Sequence, residues 1–182
     1  MPDTAKPPQY AVVAYVRNSV GQFVESLRRE LYPEHGHLPA HVTLLPPRYL
    51  CGTEDEAKAA LAVQLGGVEQ FQIRIGQVES FIPKTPTVFL RVEGQAHRFR
   101  ELHDDLNAGA FDCHEPWPYM PHLTIVKMPD IAQAEQALSI SRERWKGFTG
   151  PRSVEITSVT FVRESSASHW TDLATYALQP HK

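Results

Sequence analysis

Cysteine is scarce: only Cys51 and Cys113 occur in 182 residues, and neither stands in a C-x-x-C spacing. A disulfide-stapled scaffold and a thiolate metal site are therefore not indicated, and the expectation is a reduced, cytoplasmic protein. Long apolar runs are missing as well. None approaches the roughly 20 residues that a membrane-spanning helix needs, so no membrane association is expected. Met1 to Gln9 is polar and proline-containing and lacks the apolar centre of a secretory leader. A positive surplus is also absent. The net charge of −3 argues against broad electrostatic binding of nucleic acid, while leaving room for a local basic pocket. No H-E-x-x-H occurs, and His35-Gly36-His37 reads as a solvated loop pair, so neither metal nor cofactor is expected.

What is present fits one compact domain with a substantial core, since 42% of the residues are apolar and 21% charged. Tyr10 to Val16 reads as a buried strand. Asn18 or Ser19 caps a helix in which Val20, Phe23, Val24, Leu27 and Leu31 recur at helical spacing, and Pro33 ends it. Thr53, followed by Glu54, Asp55 and Glu56, opens a second helix that Gly66-Gly67 closes. A strand runs from Phe71 towards Phe81, and Pro83-Lys84-Thr85-Pro86 reads as a hinge between halves. Thr87 to Val92 is the next strand. A helix carrying Phe99, Leu102 and Leu106 follows, then another opened by Asp130. Val154 to Val162 reads as one strand, in a hairpin with Trp170 to Leu178 around Ser165-Ser166.

One short pattern occurs twice. Pro39-Ala40-His41-Val42-Thr43-Leu44-Leu45 is answered by Met120-Pro121-His122-Leu123-Thr124-Ile125-Val126. On a strand, His41 and Thr43 share one face, as do His122 and Thr124, roughly 6–7 Å apart along the chain. Val42, Leu44, Leu123 and Ile125 then turn into the core. The surrounding order repeats too: strand, helix, motif strand, helix, strand. A duplicated unit with a pseudo-twofold axis would bring the two motif strands together there. Two imidazoles with ordinary pKa values near 6.5 supply a base and an acid close to neutrality. The two threonine hydroxyls supply donors to a phosphate's non-bridging oxygens. Which histidine acts as base stays open.

The two motifs, with Val78 to Pro83 and Phe89 to Val92 between them, resemble the 2H phosphoesterase superfamily, in particular its 2′-5′ RNA ligase and cyclic phosphodiesterase branch, over nearly the whole chain. The resemblance implies an α+β, LigT-like fold: a two-lobed, duplicated β-α-β-α-β unit with mostly antiparallel sheets around a central cleft. The lobes would span roughly residues 10–82 and 86–179 of one domain over 1–182, an arrangement open to strand exchange. It also implies a metal-independent enzyme, a monomer, that opens 2′,3′-cyclic phosphates of RNA ends or nucleotides in RNA processing, with 2′-5′ ligation as the reverse reaction. His41, Thr43, His122 and Thr124 would be catalytic. Phe81 and Tyr119 are candidates to stack on the nucleotide, as are Tyr49 and Trp117, and Arg163 is a candidate to approach the pocket. Arg48 and Lys127 read as ordinary surface residues. The competing reading is a nucleotide- or RNA-binding module of the same fold without turnover.

Overall fold

The computed structural model describes residues 6–181; of the irregular start read over residues 1–9, residues 1–5 lie outside that range. The chain is α+β. Its strands are β1 (Tyr10–Tyr15), β2 (His41–Arg48), β3 (Phe71–Ser80), β4 (Thr87–Gly94), β5 (His122–Lys127), β6 (Ser153–Ile156), β7 (Ser158–Ser166) and β8 (His169–Ala177). Its α-helices are α1 (Ser19–Leu31), α2 (Glu54–Leu65), α3 (Ala96–Leu106) and α4 (Ile131–Lys146). The helix starts follow from capping chemistry. Asn18 accepts from the backbone N–H groups of Val20 and Gly21, Thr53 and Glu56 close a reciprocal capping box, and Asp130 accepts from Gln133.

The strands form one antiparallel sheet in the order β6-β3-β4-β5-β2-β1-β7-β8. The order is symmetric about its centre, where β2 meets β5 through the single pair Val42↔Leu123. β3, from the first half of the chain, pairs with β4 of the second, while β7 of the second half pairs with β1 of the first. The sheet is strongly curled. β6 and β7 stand far apart in the strand order, yet only Thr157 separates them in sequence, and the chain after β8 bridges back to Glu69 before β3.

Two expectations are corrected here. The strand read over Val154 to Val162 is broken at Thr157 into β6 and β7, which serve opposite ends of the sheet. The Pro83 to Pro86 stretch is the turn of the β3–β4 hairpin, not a hinge, because β3 and β4 pair from Ile73↔Gly94 to Ser80↔Val88.

The four helices cover one face of the sheet. Val12, Ala14, Val42, Leu44, Leu90, Leu123 and Ile125 point that way and meet Val24 and Leu27 of α1, Leu61 of α2, Phe99 of α3 and Trp145 of α4, all buried. The packing crosses between halves, for α1 lies against β5 and α3 against β2. Gly21 is required where α1 begins, since a β-carbon there would lie 1.8 Å from the Val16 carbonyl oxygen. The opposite, concave face carries a small separate cluster, Ala11, Val13 and Val162, under Tyr15 and Trp170. That face holds the site.

Candidate active site

Both motifs have the same burial pattern: the histidine and threonine are half-buried, and the aliphatic residue between them is fully buried. With Val42 opposite Leu123 in an antiparallel pair, one step either way sets His41 across from Thr124 and Thr43 across from His122. The four side chains thus form a two-by-two array on the concave face. The ladder pairing between β2 and β5 goes no further than this position.

The two imidazoles are held identically. Nδ1 of His41 lies 2.8 Å from the Pro39 carbonyl oxygen, and Nδ1 of His122 lies 2.8 Å from that of Met120. A carbonyl only accepts, so each Nδ1 carries the proton and each Nε2 is the nitrogen left to exchange one. Burial pulls both histidines below the ordinary imidazole value. The contact to Pro39 or Met120 opposes this shift, and the charges of Arg28 and of His122 push His41 down further. Neither threonine hydroxyl has a hydrogen-bond partner among the described residues.

Each histidine has an aromatic neighbour. The His41 ring meets Tyr15 edge-on at 6.4 Å, and Tyr15 is its cross-strand partner. The His122 ring sits 5.0 Å from Phe81 and 5.2 Å from Phe89. Phe89 and Arg91 lie across from Thr124 and His122 on β4 and so share their face. Arg91 is exposed and donates to Glu79 at 3.2 Å.

Two side chains clamp the motif strands crosswise. Buried Arg28 of α1 donates to the carbonyls of Thr124 at 2.6 Å, Ile125 at 2.8 Å and Leu38. Its burial lowers the guanidinium to about 10. From the other half, the Tyr119 hydroxyl donates at 2.8 Å to the carbonyl of Thr43. One face of Tyr119 is taken by the His103 ring, stacked at 4.1 Å. Burial, then the Glu115 carboxylate, push the Tyr119 phenol up, so it stays protonated as a donor.

The structure gathers His41, Thr43, His122, Thr124 and Phe81. It gives Tyr119 a place behind β2. It does not bring Arg163 to the array: Arg163 pairs with Tyr10 at the far end of β1, about 17 Å along the strand from Tyr15, and donates to Glu54 at 3.1 Å. Arg48 is corrected as well. It is buried at 3% exposure, donates to Asn107 and Phe111, and pairs with Glu115, which also meets His103. Tyr15, Arg28, Phe89, Arg91 and His103 were missed. Strand alternation alone could have flagged Phe89 and Arg91. No three His, Cys, Asp or Glu side chains converge as a metal set among the described residues, and no described helix is long and apolar enough to cross a membrane.

Comparison with known proteins agrees with this architecture. Residues 16–167 match the model of the 2′-5′ RNA ligase superfamily. A protein of Oceanobacillus iheyensis named "Putative phosphoesterase" is 24% identical over 174 residues, which cover 93% of this chain and 98% of that one. A similarly named protein of Bacillus cereus is 25% identical, over 92% and 95%. Among solved structures, Escherichia coli LigT complexed with 3′-AMP superposes with a TM-score of 0.63 at 18% identity, over 95% of this chain and 99% of LigT. A Thermus thermophilus protein gives 0.61 at 16%, over 96% and 100%. These structures share the fold, and the family match spans both H-x-T motifs: the chain belongs to the 2′-5′ RNA ligase superfamily of 2H phosphoesterases.

Proposed function

We propose that this protein is a phosphodiesterase that opens 2′,3′-cyclic phosphates of RNA ends or nucleotides, with His41 and His122 as the acid–base pair. The observation that carries the reading is the matched tautomer. Both rings are locked through Nδ1, so two Nε2 atoms stand ready beside two unpartnered threonine hydroxyls. In hydrolysis the neutral histidine takes a proton from water as its oxygen attacks phosphorus. The bond to one ribose oxygen breaks, and the protonated histidine gives that oxygen its proton. Thr43 and Thr124 donate to the non-bridging oxygens, where charge grows in the transition state. Among the described residues Arg91 is held by an exposed ion pair alone, and it can turn to the phosphate. The histidines perform both proton transfers, so no metal is needed. A binding module without turnover would have no use for two such histidines. LigT crystallised with 3′-AMP, ATP and NADP⁺ favours a nucleotide as the ligand here.

The test is turnover of a nucleoside 2′,3′-cyclic phosphate. Wild-type protein should open it in excess chelator, and His41→Ala and His122→Ala should each lose about 10²–10⁴-fold. Turnover that vanishes in chelator and returns with one specific metal would overturn the metal-free scheme.

A further inference from the structure

The chain has two cysteines, one in each half, and the fold brings them together. Cys51 follows β2 and is exposed, while Cys113 lies in the loop leading to β5 and is partly covered. The backbone N–H of Cys51 donates at 2.9 Å to the Ala110 carbonyl. Its thiol donates at 3.3 Å to the carbonyl of Asp112, the residue before Cys113. That oxygen belongs to the peptide unit carrying the Cys113 nitrogen, so it sits roughly 3 Å from the Cys113 Cα. The Cys51 sulfur is therefore within roughly 6 Å of that Cα.

Both backbones are held where they meet. The Asn107 side chain accepts from the N–H of Cys113 and donates to its carbonyl, each at 3.2 Å. Arg48, at the end of β2, donates to the same Asn107 at 2.6 Å. The loop thus keeps its place against the strand exit from which Cys51 follows. The Cys113 thiol is the loosely held partner. Among the described residues its contact is a long one, 3.8 Å to the His114 carbonyl, so the side chain can turn about Cα–Cβ towards Cys51. A metal is not the natural ligand of this pair, since no third His, Cys, Asp or Glu converges with it among the described residues. The natural chemistry of two adjacent thiols is with each other.

We propose that Cys51 and Cys113 are a reversible redox site, closed to a disulfide by a small-molecule disulfide such as oxidised glutathione. The Cys51 thiolate attacks one sulfur of the oxidant, the oxidant's S–S bond breaks, and one glutathione leaves as its thiolate. The Cys113 thiolate then attacks the Cys51 sulfur and expels the second glutathione. The cysteine pair loses two electrons and two protons, and the oxidant is reduced to two thiols. Exposure sets the order: Cys51 meets the oxidant and Cys113 resolves the mixed disulfide. The bond ties the exit of β2 to the approach of β5, so it joins the two halves covalently and restricts the unfolded chain. A bond that forms and breaks in this way is compatible with a chain that is otherwise reduced. It is independent of the reaction at the histidines, since Cys51 follows the far end of β2, more than about 20 Å along the chain from His41.

The test equilibrates the intact folded protein in glutathione buffers of rising oxidised fraction, quenches with acid and measures intact mass. The expected product is a monomer lighter by two hydrogens, with Cys51 joined to Cys113 in the peptide map and both thiols restored by dithiothreitol. Its Tm should exceed that of the reduced form by about 4 °C or more. Cys113→Ser should stop with one glutathione on Cys51, and Cys51→Ser should take up glutathione more slowly. Protein unfolded in urea should give less of the internal disulfide at the same buffer ratio. Wild type that only accumulates bound glutathione, links two chains, or stays reduced in fully oxidised glutathione would overturn the proposal. So would an equal yield from unfolded protein, or an oxidised form that melts no higher than the reduced one.

Discussion

At the residue scale the decisive quantity is the protonation of two histidines that burial has made weaker bases. In the proposed mechanism the working form has one protonated and one neutral. Both free-enzyme pKa values lie below 6.5, so raising the pH to neutrality empties the acid, while lowering it further fills the base. The kcat/KM profile for cyclic-phosphate opening should therefore be bell-shaped with its optimum on the acid side of 6.5. Its limbs report apparent values of the pair, not of either residue. Bound phosphate brings a negative charge that favours the imidazolium, so the kcat optimum should lie at higher pH than that of kcat/KM. A kcat/KM optimum above pH 8 would show that the acid is neither histidine. Thr43→Ala and Thr124→Ala should each cost about 10²-fold, a low value for a transition-state donor, and Thr→Ser at either position should restore most of it. In the proposed mechanism both histidines act on one transition state, so the double His41→Ala, His122→Ala variant should be little worse than the poorer single one.

At the scale of elements, the motif strands share one ladder pair, so their register depends on what grips them from outside. Arg28 and Tyr119 do this by holding the carbonyls of Thr124 and Thr43. Removing Arg28 strands three carbonyl acceptors, each hydrogen bond to a charged group being worth about 1.5–3 kcal/mol before non-additivity. Arg28→Met should therefore destabilise by about 3 kcal/mol, lowering Tm by about 6–12 °C in a chain of this size. Tyr119→Phe keeps the ring on His103 and loses one neutral bond, about 1 kcal/mol, so Tm should fall by only about 2–4 °C. Thermal melts followed by circular dichroism check both. Neither clamp was legible in the sequence, because each joins residues 76 or more positions apart. The two H-x-T strands were legible, since alternation fixes which side chains share a face and the repeat marks the pair. The break at Thr157 left no trace: Ile156-Thr157-Ser158 contains no glycine or proline, and only the curl of the sheet requires the chain to change sides there. Arg48 looked like a surface residue because its partners Asn107, Phe111 and Glu115 come from a distant loop.

At the scale of the molecule, the two halves of the duplication exchange strands. β3 belongs by sequence to the first half but completes the sheet around β4, and β7 does the reverse beside β1. Helices α1 and α3 cross over in the same sense, onto β5 and β2. We propose that the two lobes fold as one domain. Cutting the chain in the β3–β4 turn would leave the first fragment with β1 and no β7, and the second with β4 and no β3, so each would expose an open, apolar strand edge and uncovered core. Heat should then unfold the intact protein in one cooperative step, with calorimetric and van't Hoff enthalpies in agreement. Fragments 1–83 and 84–182 should each lack a cooperative melt when expressed alone. Mixed or co-expressed, they should regain one, because every inter-strand pairing survives a cut in that exposed turn. Two separate transitions in the intact chain, or a cooperative melt from either fragment alone, would show that the lobes are autonomous and that the exchange of β3 and β7 is dispensable to each.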